Sequence, residues 1–287
     1  MSIIKTAEDL EAWLHQSRLE SKNLGFVPTM GFLHEGHLSL IKEARAQNEL
    51  VVVSIFVNPT QFGPGEDFEH YPRDLERDYK LAMRAGADIV FNPTADEIYI
   101  SGSSTAVEVT GDITKKLCGA SRPTHFKGVT TVVNILFNMI RPDNAYFGQK
   151  DAQQVLIIKK MVRDLHMPVR VVVCPIVREQ DGLAMSSRNA LLSPLERTLA
   201  PCLNSGLQKA EEYLNSEAVD NNSTVKLIDI IKRHIDDHEP AFIDYINIVD
   251  GETLEDISSI EPGRPALAAV AVKLGNTRLI DNRPLSI

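Results

Sequence analysis

Phe26-Val27-Pro28-Thr29-Met30-Gly31-Phe32-Leu33-His34-Glu35-Gly36-His37 reads as a strand, a tight turn and the first turn of a helix. Beyond it, Leu38, Ile41 and Ala44 keep helical spacing as far as Gln47. His34 and His37 fall on either side of Gly36, where a helix N-terminus turns unpaired N–H groups and the positive end of its dipole outward. Such an end favours anions, and the stretch reads as a nucleotide phosphate site. Gly36 would admit the nucleotide close to the backbone, and the imidazoles would donate hydrogen bonds to phosphoryl oxygens. Two other readings stand beside it. The spacing is one short of the zinc-protease pattern His-Glu-x-x-His, and a pair of histidines can be packed for structure alone.

Working outward, Thr6 can cap a helix expected over 6–21, with Glu8 and Asp9 in its first turn. Strands are expected at 24–28, 50–57, 88–91, 145–147 and 169–174, and helices at 35–47, 72–85, 129–140 and 151–165. The run LVVVSIFV at 50–57 is nearly all apolar, as in a strand buried on both faces. This alternation argues for an α/β fold with a parallel sheet and right-handed crossovers. Ser193, Pro194 and Glu196 make a strong helix start. One helix is expected from there to 215, then a polar linker over 215–223, a helix to 238, and strands at 244–249, 266–274 and 278–280. The reading is therefore a Rossmann-like N-terminal domain over 1–176 and a smaller α+β domain over 177–287.

The 287 residues, 43% hydrophobic and 24% charged, suffice for two modest cores. A formal charge of −9 disfavours a large nucleic-acid footprint. Cys118, Cys174 and Cys202 are odd in number, far apart and without a CxxC pair, so neither a zinc knuckle nor a disulfide framework is expected. There is no apolar run of about 18 residues to span a membrane, and the N-terminus lacks a signal-peptide core. The expected location is the cytoplasm.

Four further stretches carry chemistry. Asn58-Pro59-Thr60-Gln61-Phe62 follows a strand end, where ligands bind in open α/β sheets, and offers uncharged amides or ordinary turn residues. Gly148-Gln149-Lys150-Asp151-Ala152-Gln153-Gln154 puts a lysine at a helix mouth as a phosphate partner, while Asp151 and Gln154 also fit a cap and its third-residue partner. Ala184-Met185-Ser186-Ser187-Arg188-Asn189 offers two hydroxyls and a guanidinium that can clasp phosphates from above. Arg122, His125 and Lys127 form a loop with three potentially cationic groups, equally consistent with anion binding and with solvated surface.

In this order, Met-Gly-x-Leu-His-x-Gly-His, Asn-Pro-x-Gln-Phe, Arg-Pro-x-His-Phe, Phe-Gly-x-Lys-Asp-x-Gln-Gln and Met-Ser-Ser-Arg-Asn closely resemble the pantothenate synthetase (pantoate–β-alanine ligase) family. The resemblance covers essentially the whole chain, including residues 275–282. It places the chain in the nucleotidyltransferase-like superfamily, whose histidine turn and Met-Ser loop are akin to those of class I aminoacyl-tRNA synthetases. Ala184 stands where those synthetases have a lysine, so Arg188 and Lys150 would supply that charge. Gln149 stands where many relatives have Glu.

By resemblance, Met30, Gly31, Phe32, Leu33, His34, Glu35, Gly36 and His37 line the ATP site, with His37 as proton donor. Gly148, Gln149, Lys150, Asp151, Val177, Met185, Ser186, Ser187 and Arg188 complete it. His34, His37, Lys150, Ser186, Ser187 and Arg188 would steady phosphate charge. Gln61 and Gln154 would hold (R)-pantoate, and Gln61 would also lie near β-alanine; Asn58, as an uncharged amide beside Gln61, is read from its residue type as a further substrate ligand. The implied enzyme is a homodimer that uses Mg²⁺ and condenses (R)-pantoate with β-alanine through a pantoyl adenylate, releasing AMP and pyrophosphate. The rival readings are a nucleotidyltransferase making a stable dinucleotide, a tRNA-binding synthetase fragment and a silent nucleotide sensor.

Overall fold

The computed structural model describes residues 3–18, 22–218 and 221–287. The N-terminal half runs β1 (Ile3–Ile4), α1 (Ala7–Arg18), β2 (Leu24–Thr29), α2 (Glu35–Gln47), β3 (Leu50–Ile55), α3 (Leu75–Ala85), β4 (Ile89–Phe91), α4 (Ala95–Ile98), α5 (Cys118–Ser121), α6 (His125–Ile140), β5 (Asn144–Gly148), α7 (Ala152–Asp164) and β6 (Arg170–Cys174). Its six strands are all parallel and lie in the order β1-β4-β3-β2-β5-β6. Thr6 caps α1 as expected, its Oγ1 accepting from Asp9 N–H at 3.2 Å, and the expected last residues of that helix, 19–21, lie outside the described residues.

The apolar runs alternate between the two faces of the sheet, as the two-residue period of a strand requires. Phe26, Val52 and Phe91 pack with Leu10, Phe137, Ile140 and Ile157 on one face. Val27, Val51, Val53 and Val90 pack with Leu38, Ile41, Ala44 and Ala82 on the other. Helices cover both faces, which explains why the central strands carry so little polar character.

The second half has α8 (Pro194–Leu199), α9 (Cys202–Leu214), α10 (Thr224–Asp236), β7 (Ala241–Asp250), β8 (Ala266–Leu274) and β9 (Thr277–Leu285). Its three antiparallel strands lie in the order β7-β8-β9 under α9 and α10. The Ser193 capping box is present. The single helix expected over 193–215 is instead two, because Pro201 has no N–H to continue the ladder between them. The last strand is longer than expected, reaching Leu285. Residues 219 and 220 of the expected linker lie outside the described residues. No helix among the described residues is long and apolar enough to cross a membrane.

Strand order fixes where a ligand can sit. From β2 the chain crosses by α2 to β3 on one side, while β5 lies on its other side and leads by α7 to β6. The order reverses between β2 and β5, and a crevice opens at their C-terminal ends. Residues 30–37 and 149–154 leave those two ends. A third segment is locked in by close packing: a Cβ on Gly128 of α6 would come within 2.4 Å of the Thr60 carbonyl oxygen. Gly128→Ala is expected to overpack this contact and lower the unfolding free energy by about 1–3 kcal/mol. Urea denaturation of the two proteins checks it; an unchanged midpoint would show that the turn at 58–61 moves freely.

Candidate active site

A cavity of about 1190 Å³ opens at the switch point. It is lined by His34, His37, Gln61, Lys150, Gln154 and the loop 185–188, and by residues of β8 and β9 from the second sheet. The sequence stretches expected to act together therefore meet in one place.

The histidine turn is built differently from the expectation of free amides. His34 is the N-cap of α2, and its Nδ1 accepts from Gly36 N–H at 3.2 Å. His37 Nδ1 accepts from His34 N–H at 3.4 Å. Two orphan N–H groups of the helix end are thus capped by ring nitrogens, as a serine and a glutamate would do in a capping box. A neutral imidazole that accepts at Nδ1 carries its proton on Nε2, so both rings hold an Nε2–H donor. They stack at 4.0 Å between centroids. Gly36 makes room for this: a Cβ there would lie 2.9 Å from the His34 ring. Burial, and then the adjacent Lys150, hold the His34 pKa down to about 4. Burial, with His34 and Lys150 alongside, holds His37 well below the usual imidazole value. The two rings are donors without being cations.

Gly31, Phe32, Leu33 and Glu35, expected in the site, lie outside the cavity lining, whereas Met30 and Gly36 are in it. The reason is a buried carboxylate. Asp78 of α3 accepts from Phe32 N–H at 2.6 Å and Leu33 N–H at 2.7 Å, and so takes the part an anionic ligand was expected to play there. Leu33 is fully buried beneath the turn, Phe32 lies under the Arg77 guanidinium, and Glu35 faces Lys42 at the surface.

After β5, Gly148, Lys150, Asp151 and Gln154 line the cavity. Lys150 Nζ lies 3.8 Å from Asp151. The capping alternative is not realised, since Asp151 makes no side-chain cap hydrogen bond. Gln149 turns away, its Nε2 donating to Asn282 Oδ1 at 3.0 Å, while Asn282 Nδ2 donates back to the Gln149 and Lys150 carbonyls at 2.9 Å each. This reciprocal pair joins the second sheet to the backbone that carries Lys150.

Asn58 lines the cavity, yet its amide is committed inside the protein. Nδ2 donates to Gln61 Oε1 and to the Gly128 carbonyl, both at 3.2 Å, and Oδ1 accepts from Tyr99 OH at 2.7 Å. It holds Gln61 in place, where a direct substrate contact was expected. Gln61 Nε2 points at Met30 Sδ, 3.2 Å away.

In the third stretch, Met185 N–H donates to the Val177 carbonyl at 3.0 Å, and Ser186 caps a short turn by accepting from Arg188 N–H at 3.2 Å. Ser187 is buried and donates to the Phe32 carbonyl at 3.3 Å. Arg188 grips Asp67 through Nε at 2.8 Å and Nη2 at 2.9 Å. Its charge was expected on a phosphate and is here met by a carboxylate. In the fourth stretch, Arg122 pairs with Glu66 and His125 is buried against the Gln61 carbonyl, whereas Lys127 is exposed beside Glu108.

The profile of the family described as Pantoate-beta-alanine ligase matches residues 2–284. The chain belongs to that family. It is 55% identical over 282 residues to the pantothenate synthetase of Acetivibrio thermocellus, covering 98% of both chains. It is 53% identical over 283 residues to that of Thermotoga petrophila, covering 98% of this chain and 99% of the other. Among solved structures, pantothenate synthetase from Thermus thermophilus superposes with a TM-score of 0.93 at 44% identity over all of both chains. The pantoate-β-alanine ligase of Francisella tularensis, complexed with β-γ ATP and β-alanine, superposes at 0.78 with 35% identity over 99% of this chain and 97% of the other.

Three residues of this ligase fold escaped the sequence reading. Asp78 sits in phase with buried Ala82 and Ala85 on α3, and an acid on an apolar stripe was the available signal. Gln153, in phase with Ile157 and Met161, is buried and borders the cavity beside Gln154, and its Oε1 accepts from Cys118 N–H at 3.0 Å. Asp67 carried no local signal, since its partner lies 121 residues away.

The histidine cap generates a stability prediction. The unfolded chain protonates His34 near 6.5 and the folded chain only near 4, so acid draws the equilibrium toward unfolding across that window. His34→Asn keeps an acceptor for the helix end and removes the titrating ring. Relative to the variant, the parent should lose stability as pH falls from about 7 to about 5, and the two should show the same pH dependence above about 7. Denaturation curves at both pH values check it; an unchanged difference between them would refute the neutral, buried ring.

Proposed function

We propose that the chain makes pantothenate from (R)-pantoate and β-alanine in two steps within this one cavity, consuming ATP. The observation that carries the reading is the pair of Nε2–H donors beside Lys150 at the switch point, an anion site formed with few free cations. In the first step the pantoate carboxylate attacks the α-phosphorus of ATP and pyrophosphate leaves. A carboxylate is already ionised at neutral pH, so no general base is needed, and the cavity wall here supplies donors. His34, His37 and Lys150 steady phosphate oxygens. Each well-aimed donor in comparable sites contributes about 3–4 kcal/mol. Ser186, Ser187 and Arg188 join them once the Asp67 contact yields. Gln61 and Gln154, uncharged, hold pantoate without drawing its carboxylate into an ion pair. In the second step the β-alanine amine attacks the pantoyl carbonyl and AMP leaves. The complex of the Francisella relative with β-γ ATP and β-alanine supports one site for both reactants.

Magnesium belongs to the same reading, entering with the triphosphate. Among the described residues no group of three His, Cys, Asp or Glu could hold a metal ion. Asp151, on the cavity wall and 46% exposed at its side chain, is the carboxylate that would share a phosphate-bound ion. Such an ion supplies charge neutralisation on the phosphates. The reading also takes residues 1–176 as the ATP- and pantoate-binding domain and 177–287 as a smaller lid, in a cytoplasmic homodimer without a nucleic-acid or membrane partner.

Pyrophosphate–ATP exchange tests the order of steps. It should require pantoate and proceed without β-alanine, and adding β-alanine should yield pantothenate and AMP by mass spectrometry. Exchange that needs β-alanine would sink the adenylate. Lys150→Ala should lower exchange by about 100- to 1000-fold with little change in unfolding midpoint, because among the described residues its ammonium pairs only with Asp151, at 3.8 Å.

A further inference from the structure

His125 lines the same cavity as His34 and His37, but its ring is held in the opposite sense. Its Nδ1 lies 2.8 Å from the Gln61 carbonyl oxygen. A carbonyl only accepts, so Nδ1 carries the proton and Nε2 carries a lone pair. No described residue bonds that nitrogen, and it is not among the sealed buried atoms without a partner, which are Ser54 Oγ, Asn189 Oδ1 and Arg283 Nε. The lone pair therefore faces the open cavity. Of the buried imidazoles on the wall, His34 and His37 are donors and His125 is an acceptor.

The reaction needs both kinds. Phosphate oxygens call for donors, and an attacking amine calls for an acceptor. Several other acceptors on the wall are occupied. Glu66 and Asp67 face Arg122 and Arg188, Asp244 and Asp281 face Arg278 and Arg178, and Gln61 Oε1 accepts from Asn58. Asp151 faces Lys150 at the phosphate end. Burial, with Arg122 next to it, keeps the His125 pKa near 4, so the lone pair is open at neutral pH. The Arg122–Glu66 pair beside it is neutral in sum and does not repel an amine.

We propose that His125 is the residue that receives the amine substrate, Nε2 accepting a hydrogen bond from the nitrogen of β-alanine as it attacks. This rests on the ligase reading above. The free amine's lone pair forms the C–N bond to the pantoyl carbonyl carbon. The C–O bond to the AMP phosphate breaks, and its electron pair leaves with AMP. The nitrogen, positive once bonded to carbon, gives one proton to Nε2, which passes it to water.

The test uses two replacements that copy one ring nitrogen each. His125→Asn keeps a donor at the Nδ1 position for the Gln61 carbonyl and removes the acceptor. His125→Gln reaches the Nε2 position with an amide oxygen and gives up the bond to Gln61. In His125→Asn, kcat/KM for β-alanine should fall about 100-fold or more, while pantoate-dependent pyrophosphate–ATP exchange stays within about threefold, which also reports an intact fold. His125→Gln should recover part of the β-alanine efficiency. Unchanged β-alanine efficiency in His125→Asn overturns the proposal. So does an equal loss of exchange and overall reaction, which would make His125 a prop for Gln61, or a ranking of Asn above Gln. Absence of pantoate-dependent exchange in the parent protein would instead overturn the ligase reading.

Discussion

Everything at this site depends on how the first turn of α2 is closed. A helix end must find acceptors for N–H groups that have no carbonyl four residues back. Here the acceptors are imidazole nitrogens, where serine or aspartate is usual. That choice has a chemical consequence which an oxygen cap would not have. An imidazole that accepts through one nitrogen must donate through the other, so the helix end reaches the cavity as ring N–H groups. Because both rings are buried neutral, donation persists without the pH sensitivity of an imidazolium.

The turn before that helix has the complementary arrangement. Asp78 occupies the Phe32 and Leu33 amides from inside the protein. This keeps those amides from binding any ligand and fixes the path along which His34 leaves the strand. Asn58 does the same for Gln61, its amide reaching Gln61, Gly128 and Tyr99 at once. Buried polar groups with every partner in place hold direction well, since each alternative orientation leaves a donor or acceptor unmet. The cavity is thus shaped by residues that do not themselves offer it a free group.

What was legible in the sequence follows from range. The strands alternate with helices at short spacing, so periodicity alone announced the parallel sheet, and the 35–47 helix agrees with its expected bounds. The five motifs found one another because each follows a strand end or heads a helix near the switch point. Direction was harder to read. Nothing local tells that Gln149 looks to Asn282 while Gln154 looks to the cavity, or that Arg188 meets Asp67. Those facts depend on partners more than 100 residues away. The break at Pro201 is a different case, because the missing N–H of proline was visible in the sequence and the apolar spacing of the flanking helices masked it.

Charge shows why so acidic a chain can bind a polyanion. The arginines lining the cavity are each matched by a carboxylate, Arg122 by Glu66, Arg188 by Asp67 and Arg278 by Asp244, and Asp281 on the same wall is held by Arg178. Such pairs limit the field that an empty cavity would otherwise present, and desolvated cations are costly without them. They also set a threshold. A phosphate can draw Arg188 only by outcompeting Asp67, which already offers two charge-assisted bonds. A triphosphate, with several charged oxygens in one molecule, meets that condition far better than a lone carboxylate such as pantoate. Asp67 therefore sets the condition that any anion must meet to reach Arg188, and high charge density is what meets it.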